Sequence, residues 1–165
     1  MNYQSIIDKY YPEGTPLRDI YMRHAQSVAE LAEELRQKSA PELDAEQVRA
    51  AAMLHDIGIF LTSAPSIHCT GSAPYISHGP LGAEILRREG APEWAARVAE
   101  RHTGVGIPPL VPETRLERLV CYADKFYSKS GSMQRRSLQQ VEASIARFGA
   151  ENLAALKALE AEFPL

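Results

Sequence analysis

The chain has 165 residues, 45% of them hydrophobic and 24% charged, with a formal net charge of −3. That composition belongs to a folded globular protein long enough to bury one core unaided, and it excludes a disordered or collagen-like chain. The acidic balance argues against general DNA or RNA binding, which needs a basic face. No stretch approaches the ~18 apolar residues of a membrane span. The N-terminus shows no secretory signal pattern. Cys69 and Cys121 form neither a CxxC pair nor a disulfide framework. A reduced cytoplasmic protein is expected, with no nucleic-acid or membrane partner. No sequence feature fixes an oligomeric state.

Helical signals follow one another along the whole chain. Tyr3, Ile6, Ile7 and Tyr10 keep helical spacing before Pro12. Thr15-Pro16 reads as an N-cap with proline at the first helical position, and Ile20 through Leu35 carry the apolar stripe behind it. Asp44 and Gln47 form a capping-box pattern that opens a third helix through Leu54, with Gly58 expected to stop it. Residues 59–77 have prolines and small polar residues but little periodicity, which predicts a long functional loop without a clear strand hairpin. Helical pattern resumes over 80–89, again from Pro92 to about His102, and from Leu116 to Asp124, with a second loop over 104–112. Ser137 and Gln140 repeat the capping pattern, and two helical segments broken at Gly149 finish the chain. The expected architecture is all-α, a single domain over 1–165 with a core motif region over 18–131 and C-terminal helices over 137–163.

Five histidines stand at 24, 55, 68, 78 and 102, and four of them fall within a helical pattern or at its end. His24 lies within the second helix, His55-Asp56 close the third, His78 opens the fourth and His102 ends the fifth. Asp124 falls near the end of the sixth. Helix ends in a bundle are natural places for side chains to converge on a cofactor. Neighbours such as His55 and Asp56 point about 100° apart on a helix, so both reach one centre only where the backbone turns away, as Gly58 permits. Imidazole and carboxylate donors suit iron, manganese, zinc, cobalt or nickel, and the lack of thiolates argues against a structural zinc finger.

The ordered set of His24, His55-Asp56 and Asp124 resembles the metal-binding signature of the HD-domain phosphohydrolase superfamily, and the run from Leu54 to Gly58 resembles its HDIG core. His78 in SHGPLGAE and His102 in ERHTG resemble the subgroup with two metals per site, within which the bacterial symmetrical diadenosine tetraphosphate hydrolases look most similar. The resemblance implies an HD-type helical bundle with a dinuclear site. His24, His55, Asp56 and Asp124 would hold one divalent transition metal ion, His78 and His102 would complete a second, and Asp56 would bridge them as the catalytic carboxylate. Iron or manganese come first, with zinc, cobalt or nickel compatible. Two such cations would lower the pKa of a bridging water, clamp phosphoryl oxygens and attract a polyphosphate. Because ligation needs neutral imidazoles, occupancy should fall below about pH 6.

The implied activity is hydrolysis of a phosphoester or phosphoanhydride in a small phosphorylated substrate, with a nucleotide or dinucleoside polyphosphate as first choice. Relatives often carry a lysine directly after the HD pair, as in HDIGK. Here that position is Ile59, and no lysine lies between Lys38 and Lys125. The substrate-binding candidates are therefore Lys125 and Lys129, with Arg23 and Arg101, which precede ligand histidines, and Thr103. Arg135 and Arg136, in the same acid-free stretch from Lys125 to Val141, are more distant candidates to handle phosphate, and a solvated surface segment is the plainer reading of both. Tyr75 and Tyr127 are candidates to stack a nucleobase. The missing lysine keeps open an HD-type mixed-valent di-iron oxygenase, and a non-catalytic nucleotide-binding module ranks last because every ligand is present.

Overall fold

The computed structural model describes residues 1–105 and 110–165, and most of the second expected loop, at 106–109, lies outside them. Five of its helices begin at a residue whose side chain accepts an amide that the helix leaves free. Helix α1 (Tyr3–Tyr10) starts behind Asn2, α2 (Pro16–Ser39) behind Thr15 and α3 (Ala45–Leu54) behind Asp44. Thr114 and Ser137 do the same for α6 (Arg115–Asp124) and α7 (Leu138–Ala146), where Glu117 and Gln140 return the bond and complete the capping box. The remaining helices are α4 (His78–Arg88), α5 (Glu93–Arg101) and α8 (Ala150–Glu162). The all-α expectation holds.

Residues 59–77 differ from the strandless loop that the sequence predicts. Strand β1 (Ser63–Ala64) pairs antiparallel with β2 (Cys69–Thr70), Ser63 opposite Thr70 and Ala64 opposite Cys69. Short 3-10 turns at Ile59–Leu61, Pro65–Ile67 and Tyr75–Ser77 flank it. Two-residue strands are too short to leave an alternating pattern, so the sequence holds no signal for them. His68 turns the hairpin in the left-handed region at φ 62° and is exposed, while Cys69 is fully buried.

Helix α2 packs against α3 and α6, α4 against α5, and α5 against both α3 and α6. The buried faces are rich in alanine, with Ala50, Ala51 and Ala52 on α3 and Ala95, Ala96 and Ala99 on α5. Small side chains let helix axes approach closely, and glycines bring two backbones into contact. Gly58, expected as a helix stop, does something else. Helix α3 ends four residues earlier, and Gly58 keeps φ −88°. A Cβ there would sit 2.3 Å from the His78 carbonyl oxygen and 2.5 Å from the Gly82 amide nitrogen. A Cβ on Gly79 would lie 2.8 Å from the Ala99 carbonyl oxygen. The first approach sets the His55-Asp56 turn against the start of α4, and the second sets that start against the end of α5. No helix among the described residues is long and apolar enough to cross a membrane.

Candidate metal centre

Helix α3 gives way at His55 to tight turns, in which the Ile57 amide donates to the Leu54 carbonyl at 3.1 Å and the Ile59 amide to the Asp56 carbonyl at 3.0 Å. This tightening is what lets two adjacent side chains aim at one point. Two buried phenols hold the turn from below. Tyr21 donates to the Met53 carbonyl at 2.6 Å and Tyr11 to the Ile57 carbonyl at 2.9 Å, with their rings stacked 4.1 Å apart. Those carbonyls belong to the last turn of α3 and to the turn beyond it, and the phenols satisfy them in the buried interior.

Around Asp56 converge His24 from α2, His55, His78 at the first position of α4, His102 beyond α5 and Asp124 at the end of α6. Asp56 Oδ2 lies 3.2 Å from His24 Nε2 and 3.2 Å from His55 Nε2, and Asp124 Oδ1 lies 3.0 and 3.4 Å from the same two nitrogens. Asp56 Oδ1 lies 3.2 Å from both His78 Nε2 and His102 Nε2. One carboxylate thus offers each of its oxygens to a different set of donors, His24, His55 and Asp124 on one side, His78 and His102 on the other.

Proton positions follow from the outer contacts. Nδ1 of His55, His78 and His102 lies 2.6, 2.5 and 2.7 Å from the carbonyls of Ala52, Tyr75 and Ala99. A carbonyl only accepts, so each Nδ1 carries the proton in the neutral ring and each Nε2 presents a lone pair inward. His55 Nε2 and both Asp56 oxygens are buried without a well-aligned hydrogen bond, as is His24 Nδ1. Orphaned buried acceptors at this density are costly unless a cation fills the space between them. The donor spacing fits: ligands about 2.1 Å from one ion lie roughly 3.0–3.4 Å apart in octahedral or tetrahedral arrangements.

The electrostatics run the same way. Burial pushes the Asp56 carboxyl up, but His55, Lys129 and the imidazoles on its oxygens outweigh it and hold Asp56 well below the ordinary carboxylate range. Asp124 behaves alike, with Lys125 the leading charge against burial. Burial also opposes a proton on His55, yet facing both carboxylates it is raised to about 9, whereas His102, buried and beside two other imidazoles, falls to about 3. The centre is acceptor-rich and holds its carboxylates ionised.

Two lysines reach it. Lys129 Nζ lies 2.6 Å from Asp56 Oδ2 and 5.7 Å from the centre of the Tyr75 ring. Lys125 Nζ donates to the His102 carbonyl at 2.8 Å and to Asp124 Oδ2 at 3.1 Å. Both line a cavity of about 400 Å³ that opens beside Asp124. The other candidates do not join them. The exposed Arg23 donates to the Ser132 carbonyl at 3.1 Å, and Arg101 donates to the Val111 carbonyl at 2.8 Å and pairs with Glu113 at 2.9 Å. Residues adjacent to a ligand on a helix point away from it, which is why both arginines miss the cleft. Thr103 packs beside Gly79 and is not among the residues lining that cavity. Tyr75 and Tyr127 do line it. Sequence reasoning alone misses the phenols of Tyr11 and Tyr21, for which a tyrosine inside an apolar stripe is the sole signal.

A helical protein with paired histidine–aspartate donor sets, drawn from the body of α2 and from the ends of the other helices, is thereby defined. The sequence model of the HD domain matches residues 21–128, and the chain belongs to that family. Two relatives named tRNA (cytidine(56)-2'-O)-methyltransferase are each 33% identical to it. That of Thermoplasma volcanium matches over 92% of this chain and 43% of its own length, and that of Picrophilus torridus over 67% and 32%. An uncharacterized protein of Methanocaldococcus jannaschii is 37% identical over 62% of this chain and 63% of its own. The chain therefore spans less than half the length of the two methyltransferase-named relatives. Among solved structures, the HD domain of the L. monocytogenes phosphodiesterase PgpH superposes with a TM-score of 0.60, covering 98% of this chain and 95% of that one at 16% identity. These matches carry the family and the fold. They lend no support to the narrower likeness to diadenosine tetraphosphate hydrolases.

Proposed function

We propose that the chain is a metal-dependent phosphohydrolase acting on a phosphoester or phosphoanhydride of a small phosphorylated substrate, a nucleotide being the class favoured. The observation that supports it most is the sharing of Asp56 between two donor sets, one oxygen facing His24, His55 and Asp124 and the other facing His78 and His102, whose Nδ1 atoms both rest on backbone carbonyls. His24, His55, Asp56 and Asp124 would hold one ion, and Asp56, His78 and His102 a second. When bound, two divalent cations would supply charge stabilisation at phosphoryl oxygens and a water acidic enough to attack near neutral pH.

The chain's own residues have definite roles in this reading. The three backbone carbonyls fix the tautomers and ring planes of His55, His78 and His102, so the donors need no rearrangement. Lys129, held over Tyr75 beside Asp56, meets a non-bridging oxygen of the phosphoryl group. Lys125 is tethered at the His102 carbonyl and keeps Asp124 ionised. Burial of the donor set keeps bulk water out, which strengthens each of these contacts. Lys129 also bears on the rival oxygenase reading, for which the lysine absent after the HD pair is the ground. A cation reaches the same carboxylate from a later segment of the chain.

The methyl transfer in the names of two relatives belongs to proteins more than twice this chain's length. The reading of this chain rests on its own HD match and its cluster of histidines and aspartates, and methyl transfer is not carried over to it. The test is metal analysis of the purified protein, followed by hydrolysis assays with manganese or ferrous iron that read both inorganic phosphate and nucleotide products. Substrates should span mononucleotides, dinucleoside polyphosphates and cyclic dinucleotides. Hydrolysis of at least one substrate under anaerobic conditions, lost in Asp56→Ala, is expected. Bound metal with no hydrolysis product, together with oxygen consumption and a half-oxidised di-iron EPR signal, would overturn the hydrolase.

A further inference from the structure

The cavity beside Asp124 has an outer wall that the metal centre does not use. It is formed by the segment following α6, where Lys125 and Lys129 on the inner side give way to Ser128, Ser130 and Arg136 on the outer. The Ser128 and Ser130 hydroxyl oxygens lie 3.3 Å apart, and the Ser130 amide donates to the Ser128 hydroxyl at 3.2 Å. Arg136 donates through Nη2 to the Lys125 carbonyl, which anchors the guanidinium, while its Nε is buried with no hydrogen-bond partner. Among the described residues no carboxylate lies within ion-pair distance of Arg136, whereas Arg135 next to it pairs with Glu34 at 3.0 Å. The one acid in the cavity wall, Asp124, is already engaged by His24 and Lys125.

Three cations, hydroxyl donors and no free carboxylate make a wall for an anion. Its separation into an inner lysine pair and an outer arginine gives two positions for negative charge along one cavity. A guanidinium anchored at one nitrogen and facing no carboxylate keeps its charge for an anion in the cavity it lines. The volume of about 400 Å³ lies within the range of small-molecule sites.

We infer that this outer wall is a subsite for a second phosphate group, so that the substrate is a nucleotide with at least two phosphates. One phosphate is cleaved at the metal centre while the other rests on Arg136, Ser128 and Ser130. Lys129, over the Tyr75 ring, lines the same cavity as Arg136. This rests on the phosphohydrolase reading for the cleaved group but not for the held one.

Binding separates the two. The metal-loaded full chain is titrated calorimetrically with inorganic phosphate, a nucleoside 5'-monophosphate and a non-hydrolysable nucleoside diphosphate analogue, and turnover is measured in parallel on the hydrolysable forms. The diphosphate analogue should bind at least tenfold more tightly than the monophosphate. In Arg136→Gln that advantage should shrink to within about twofold, and Arg136→Lys, which keeps the charge and the fold but not the fork, should fall between. Circular dichroism establishes that each variant is folded. Equal affinity for mono- and diphosphate in the wild type, or an advantage that survives Arg136→Gln in a folded variant, overturns the subsite. Tight diphosphate binding with no hydrolysis of any substrate, read as nucleotide product or phosphate, would instead leave the subsite standing and remove the hydrolase.

Discussion

His78 Nε2 lies 3.0 Å from His102 Nε2, and neither nitrogen has a proton to offer the other. Both rings spend their N–H on a backbone carbonyl, so two lone pairs and Asp56 Oδ1 converge on one point. Such a contact is stable when a cation sits among the three. His78→Ala should therefore cost the protein the ion on that side and leave the other set intact, with metal content falling from two equivalents to one by elemental analysis. Unchanged stoichiometry would show that this triad holds no ion.

Asp56 serves both sets, so its loss should be felt on both. In Asp56→Ala at least one ion should be lost and turnover should drop by more than about a thousandfold, the scale seen when electrostatic stabilisation of a transition state is removed. The helical fold should persist, because the helices are held by their capped ends and their buried apolar faces and not by this carboxylate. A far-ultraviolet spectrum close to wild type beside the lost activity is the expected pair of results. Full activity would refute the bridging role.

Lys129 competes with a metal ion for Asp56 Oδ2, from which its ammonium is 2.6 Å away. Lys129→Met should bind manganese more tightly, by about tenfold, yet turn over substrate at least tenfold more slowly. The opposite directions matter. A lysine with only a structural role would lower both, and one outside the site would move neither.

The helix ends are legible in the sequence because each rests on a local rule. Asp44, Thr15 and Ser137 accept the expected amides, and the sequence order of histidines and aspartates carries the family. What escapes is whatever depends on two segments meeting. Gly58 looks like a helix stop because a glycine after a helical run usually is one; only the nearness of the His78 carbonyl and Gly82 shows it as a point of backbone contact. Adjacency in sequence suggests Arg23 and Arg101 for the cleft, but on a helix adjacency sends neighbours to different faces. Arg136 reads as a surface residue because nothing local reveals that its guanidinium anchors to the Lys125 carbonyl.

The Gly58 contact gives a further test. Gly58→Ala places a methyl 2.3 Å from one backbone atom and 2.5 Å from another, and neither can swing aside as a side chain can. Overpacking of this kind costs typically ~1–3 kcal/mol and more where backbone must move. The separation of the α3 end from the α4 start should also pull His78 from Asp56. A lowered melting temperature together with weaker binding of the second ion is expected; lowered stability with normal metal content would show that the centre tolerates the shift.

Glu117 supplies a pH dependence away from the metal centre. It is buried, which by itself pushes its carboxyl up, but Arg97 at 2.7 Å and the amides of Glu113 and Thr114 outweigh burial and hold it below the usual value. A carboxyl with a lowered pKa in the fold stabilises the protein fully above its unfolded pKa near 4.5, and that contribution is lost as pH falls through the folded value. Glu117→Gln removes the titrating group and keeps the shape. Its melting temperature should lie below wild type at pH 7, by an amount matching about 1.5–3 kcal/mol for charge-assisted hydrogen bonds. As the pH is lowered below about 4.5 the wild type should lose its advantage and the two melting curves should converge. A gap that stays constant from pH 7 to pH 3 would mean that Glu117 acts through packing rather than through its charge.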